Sequence, residues 1–96
     1  MDQRDQAIAT YQTAIAAQPS DPNLRFNLAG ALFSKEDFRG AADSYREAIK
    51  LKPDFAHAYY NLGMSRLRLN DTAGARSAFD QARDLDPSLK PPGGSK

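Results

Sequence analysis

Two stretches decide the fold: PNLRFNLAGALFSKEDFRGAADSYREAIKLKP at residues 22–53 and AHAYYNLGMSRLRLNDTAGARSAFDQARDLDP at residues 56–87. Shifted by 34 residues, they coincide at Asn27 and Asn61, Leu28 and Leu62, Asp37 and Asp71, and Gly40 and Gly74. They coincide again at Ala41 and Ala75, Ala48 and Ala82, and Pro53 and Pro87. Tyr45 answers Phe79, and Ala29 answers Gly63. Ala7, Tyr11, Ala14 and Pro19 continue the register upstream, so a second half-unit precedes the two full ones. A fixed period of this length means a stack of small units rather than one globular core. Such a stack presents a long shared surface, which suits binding.

Each unit reads as two short amphipathic helices. Leu24, Leu28 and Leu32 recur at the helical spacing. Asp21 followed by Pro22 is a helix start, with a capping carboxylate and then a residue whose missing N–H costs nothing in the first turn. Asp37 and Asp71 stand where they would cap the second helix of each full unit, and Pro53 and Pro87 stop those helices. The pattern predicts five antiparallel helices near 3–18, 22–34, 38–51, 56–69 and 72–86, an all-α superhelix. Residues 88–96, SLKPPGGSK, are expected to form a flexible end, because Pro and Gly resist both helix and strand. The small residues Ala41, Ala48, Ala75 and Ala82, facing Ala29 or Gly63, let helix axes approach closely, with Tyr45 or Phe79 filling the space beside them.

Composition narrows the function classes. Thirteen basic against 12 acidic residues leave a formal net charge of +1, without the clustered basic charge that a nucleic-acid or anionic-membrane footprint needs. No apolar run approaches the roughly 20 residues of a membrane span. Met1 to Asp5 are polar and do not make a signal peptide, so a cytoplasmic setting is expected. There is no cysteine, hence no disulfide or thiolate chemistry. His57 is the single histidine, and neither a glycine-rich phosphate loop, a nucleophile motif nor metal-ligand spacing accompanies it. Asp43, Glu47 and Asp80 read as solvated-face carboxylates. The expectation is a chain without catalytic site, metal or cofactor.

The spaced residues Asn61-Leu62-Gly63, Asp71, Ala75, Phe79, Ala82 and Pro87, with their counterparts one unit earlier, resemble the tetratricopeptide repeat family over about residues 5–87. The departures are Arg25, where an aromatic is usual early in the first helix, and Arg66, where a tyrosine is common. The resemblance implies an array over 1–87, divided into a partial repeat at 1–21, a repeat at 22–55 and a terminal repeat at 56–87. It also implies that the first helices line a concave face holding Asn23, Phe26, Asn27, Gly30, Phe33 and Ser34, then His57, Tyr60, Asn61, Met64, Leu67 and Arg68. Read from the helix alone, Leu28 and Leu32 point to the core, leaving Phe26, Phe33, Tyr60 and Met64 as surplus apolar groups of the types enriched at recognition surfaces. Phe33 and Leu67 could instead pack between units.

Asn27 and Asn61 each offer a donor and an acceptor, so they could hold a peptide backbone at two points or bond locally. Together with Leu51-Lys52-Pro53-Asp54-Phe55 and Ala58-Tyr59-Tyr60, they are similar to the asparagine ladder of O-linked N-acetylglucosamine transferase-type arrays. The carboxylate clamp of chaperone-binding members is matched only at Asn27. Phe26, Gly30, His57 and Asn61 stand where its other lysine, asparagine and arginine residues would be.

The family's second helices carry two apolar residues toward the next unit. Ile8 and Ile15 hold those positions first, then Ala42 and Ile49, but the last helix has Arg76 and Arg83. A last helix facing water suits a terminal unit, so the array is expected to end near Pro87. Helix 1 lacks the partner that its Ala7, Tyr11 and Ala14 face would pack on, so either the chain is cut from a longer protein or another surface, a second copy included, covers it. The sequence thus reads as a protein–protein interaction module binding a peptide segment through Asn27, Asn61, Phe26, Tyr60 and Met64, with His57, Arg68, Asn23 and Gly30 alongside. The alternatives are a self-associating scaffold and a fragment of a larger enzyme that positions its protein substrate.

Overall fold

The computed structural model describes residues 2–92. Five helices run in order among them: α1 Gln3–Ala17, α2 Pro22–Ser34, α3 Phe38–Leu51, α4 Ala56–Arg68 and α5 Thr72–Leu85. Each end falls within one residue of the sequence expectation. Each helix packs chiefly on the next in sequence, and the chain extends to 41 × 25 × 19 Å. That one-dimensional order is what a repeat stack demands.

The period persists in the backbone. Asp2, Asp21, Asp37 and Asp71 cap α1, α2, α3 and α5 by accepting from backbone N–H groups of the first turn. For Asp37 and Asp71 the acceptance is from Gly40 and Gly74, each at 2.9 Å. A β-carbon on Gly40 would lie 2.5 Å from the Asp37 carboxylate, so a larger residue there would make that side chain shift. Between the helices of each full unit, Glu36 and Asn70 adopt the left-handed conformation, φ 65° and 63°. The next amides, Asp37 and Asp71, donate back to the carbonyls of Leu32 and Arg66 at 2.9 and 2.8 Å, closing the helix ends as Schellman turns. The same aspartate therefore ends one helix and starts the next. At the other helix ends, Gln18, Lys52 and Asp86 donate to Ala14, Ala48 and Ala82 in turn, and a proline follows one residue later.

The core is built mostly of alanine. Ala29, Ala41, Ala48, Ala58 and Ala82 are fully buried, with Tyr45, Leu62 and Phe79 supplying its bulk. Arg76 and Arg83 on α5 are exposed, as the sequence anticipates. Arg25 and Arg66, the departures from the family pattern, are half-buried and donate to backbone carbonyls of Pro19 and Gly74, at 3.3 and 3.2 Å. Beyond α5, Asp86 accepts from the Ser88 hydroxyl and amide. Pro91 and Pro92 then line a small cavity with Leu67, Ala75 and Phe79. Gly93 to Lys96, the end of the tail expected to be flexible, lie outside the described residues.

At Gly63, α4 lies close against α5. A β-carbon on Gly63 would stand 2.8 Å from the Phe79 ring, a separation that forces one helix to move. Gly63→Leu is expected to destabilise the fold by about 1–3 kcal/mol through overpacking. A thermal melt checks this, and an unchanged melting temperature would contradict the close approach.

Candidate peptide-binding groove

The concave side presents two adjoining cavities. The first, about 420 Å³, lies between α1 and α2 and is lined by Gln3, Arg4, Tyr11, Asn27, Gly30 and Ser34, with Ala7 and Ala31. The second, about 220 Å³, lies at the boundary of the two full units, among Gly30, Phe33, Tyr45, Tyr60, Asn61 and Met64. Tyr60, Asn61 and Met64 share one face of α4 by helical spacing, and Gly30 belongs to both cavities.

Of the sequence-predicted residues, the structure therefore brings together Gly30, Tyr60, Asn61 and Met64 in one cavity and Asn27 with Gly30 in the other. Phe26 lines neither. Its ring is half-buried, edge-on to Tyr45 at 5.6 Å and stacked on Phe55 at 4.8 Å. The equivalent pair one unit on, Tyr60 against Phe79 at 5.3 Å, leaves Tyr60 on the cavity wall. Asn23 is exposed at the start of α2, where its amide donates to the Asp21 carboxylate. His57 is exposed at the start of α4 and acts electrostatically on Asp86. The Asp86 carboxyl is held below the usual range mainly by its bonds from Ser88, with His57 contributing less. Neither Asn23 nor His57 lines a concave cavity.

Arg68 sits over two rings at once, 5.3 Å from the centroid of Phe33 and 5.2 Å from that of Phe38. Those rings are themselves edge-to-face at 5.0 Å, so the guanidinium joins the two full units through a cation–π contact. Phe33 accordingly does both things the sequence allowed, packing between units and walling the second cavity. Asn61 turns its backbone carbonyl to the buried Ser65 hydroxyl, which donates at 3.0 Å, and its side chain faces the Tyr45 phenol.

Sequence reasoning missed Tyr11 and Tyr45 as groove residues, because both occupy packing positions of the repeat. The signal was present in the hydroxyl: Phe79 performs the same packing without one, and a buried tyrosine carries a polar end that seeks a partner. At the far end, Arg4 donates to the Ser34 carbonyl at 2.9 Å, and Lys35 pairs with Asp5 at 3.0 Å, tying α1 to the end of α2. A larger open depression of about 640 Å³ lies on the other face of α4, floored by Tyr59, Leu62 and Ala78. Of its lining charges, Asp43 pairs with Arg46 and Glu47 with Lys50, while Arg66 donates to the Gly74 carbonyl.

A tetratricopeptide repeat family model matches residues 1–38 and 31–89. The chain belongs to this family. No curated protein matches it. Among solved structures, the first TPR of Spaghetti (RPAP3), bound to the HSP90 peptide SRMEEVD, superposes with TM-score 0.87 at 28% identity, covering 88% of this chain and 68% of that one. The TPR2B domain of yeast Sti1, in a complex with pHsp70, gives 0.86 at 26% identity, over 91% of this chain and 70% of that one. MamA from Desulfovibrio magneticus RS-1 gives 0.84 at 23% identity over 92% of this chain, a likeness of fold. This chain spans 50% of that MamA chain. Five helices without strands among the described residues agree with these repeat arrays.

Burial pushes the Tyr45 phenol above its ordinary pKa, and the Asn61 amide offsets part of that rise. In the unfolded chain the same phenol ionises near pH 10. This contribution to stability is therefore complete below about pH 10 and is lost as pH rises through the folded value. Tyr45→Phe is expected to lose stability less steeply than the parent above that pH, measured by urea melts between about pH 8 and 11. Parallel curves would mean that the phenol is as well solvated folded as unfolded.

Proposed function

We propose that this chain is a non-catalytic interaction module that binds an extended or helical peptide segment of another protein along its concave groove. The observation that carries this reading is the adjoining pair of cavities in which Asn27 and Asn61 stand one unit apart on either side of Gly30. Each amide can both donate to and accept from a peptide backbone, so two of them can hold a segment independently of its side chains. Tyr60 and Met64 offer apolar contact beside Asn61. Phe26, packed between Tyr45 and Phe55, supports the groove from beneath. The spacing of the two asparagines is also what the likeness to O-linked N-acetylglucosamine transferase-type arrays implies.

The HSP90-peptide complex of one similar TPR domain, beside the pHsp70 complex of another, supports a peptide segment as the ligand class. A C-terminal carboxylate is not the favoured anchor, because Gly30 and His57 replace clamp side chains and His57 stands outside both cavities. A second reading, self-association through α1, is favoured by one observation: α1 contains no buried residue, and its Ala7 and Tyr11 line an open cavity. Repeats that position substrate for a catalytic domain elsewhere in a longer protein would use the same groove.

A peptide selected from a random library against the parent chain should bind the Asn27→Ala/Asn61→Ala variant at least tenfold more weakly, with the helical circular dichroism spectrum retained. Light scattering on the same samples, across a wide concentration range, should return the monomer mass. Unchanged affinity would remove the asparagine ladder, and mass that grows with concentration would favour α1 as a self-association edge.

A further inference from the structure

Among the described glycines, Gly30 is the one that no contact shorter than 3 Å crowds. It lies inside α2, where glycine is among the least favourable residues because it loses the most backbone freedom on ordering. At Gly63 a β-carbon would stand 2.8 Å from the Phe79 ring, but a β-carbon on Gly30 would meet only the Tyr45 hydroxyl, at 3.9 Å, in ordinary contact. An alanine would therefore fit and would favour the helix. What the missing side chain does is leave open ground between the two concave cavities, and Gly30 is the residue common to both.

The geometry points to Gly30 as the saddle over which a bound segment's backbone crosses from the α1–α2 groove to the unit-boundary pocket, seating an aliphatic side chain there and an acidic one against Arg68. This rests on the concave-groove reading above and names the ligand's side chains. The pocket walls are Phe33, Tyr60, Met64 and the Tyr45 ring, with the Asn61 amide and the Tyr45 hydroxyl as the polar points and no charged residue in the lining. An ionised side chain entering it would lose its hydration without gaining a partner, whereas a leucine or methionine would gain contact on every side. Directly beside the pocket, Arg68 lies over the outer wall Phe33 and makes none of the ion pairs among the described residues. No carboxylate lines either cavity. The complementary ligand is an internal segment with one aliphatic residue beside an acidic one, its backbone held by Asn27 and Asn61.

The test is an amide NMR titration of the full chain with three blocked peptides. The first is acetyl-Gly-Ser-Asp-Leu-Asp-Ser-Gly-amide, the second has Gly in place of Leu, and the third has Lys in place of both Asp residues. The first should shift Gly30, Asn61 and Met64 saturably, and the other two should bind at least tenfold more weakly. Gly30→Ala should melt at or above the parent temperature and bind the first peptide at least threefold more weakly. Gly30→Leu should abolish that binding while keeping the helical spectrum. If Gly30→Leu does not fold, the Gly30→Ala affinity decides. Parent-like affinity in the folded Gly30 variants, with the same amides shifted, overturns the saddle while leaving the groove reading intact. Equal binding of the lysine or glycine peptide overturns the ligand chemistry. Absence of concave shifts with all three overturns the saddle and counts against the groove itself.

Discussion

The contact on which the array depends is that of a small residue on a first helix with an aromatic ring on the second. At Gly63 the Phe79 ring comes so near that no β-carbon fits, and one unit earlier Ala29 is fully buried in the same cluster as Tyr45. This contact sets how closely the two helices of a unit lie. It also fixes where the ring goes, and so where the first-helix aromatics Phe26 and Tyr60 must lean to meet it edge-on. The cavity at the unit boundary follows, lined by Phe33, Tyr45, Tyr60 and Met64 with Gly30 and Asn61. Cavity lining and core thus share side chains, since Tyr45 belongs to both and Phe33 packs against the core while lining the cavity.

Because each helix packs chiefly on its neighbours in sequence, stability is a sum of unit and interface terms rather than a single core transition. Those terms are uneven along the chain. α3 and α4 each bury four residues and are flanked on both sides, whereas α1 buries none and is fastened by polar contacts at one end, Arg4 to Ser34 and Lys35 to Asp5. Exposed ion pairs of that kind contribute little. Tyr11 and Asn27 both line the cavity at this thinly held interface.

Much of this was legible in the sequence because its signals are local and doubled. Asp21, Asp37 and Asp71 announced helix starts, Pro53 and Pro87 helix ends, and the pairing of two units fixed the register. Arg76 and Arg83 announced an exposed last helix. Less legible were features in which one residue serves two roles. Phe26 carries the recognition signal of an aromatic on the concave helix, yet Phe55 and Tyr45 take up its ring, and Phe55 lies in a turn that periodicity says nothing about. The left-handed residue Glu36 was also unmarked, whereas Asn70 is of a type that tolerates the conformation. Their equivalence, one unit apart, shows that the turn rather than the side chain selects the conformation. His57 was drawn to the groove by register alone, and its place beside Asp86 depends on where α5 ends.

Amide hydrogen exchange, resolved helix by helix, tests the central claim most directly. If small-residue contacts and nearest-neighbour packing hold the array, protection should peak in α3 and α4, fall in α2 and α5, and be weakest in α1. Gly63→Leu should lower protection first in α4 and α5. Uniform protection over all five helices, collapsing everywhere together in that variant, would contradict the account and indicate one indivisible core.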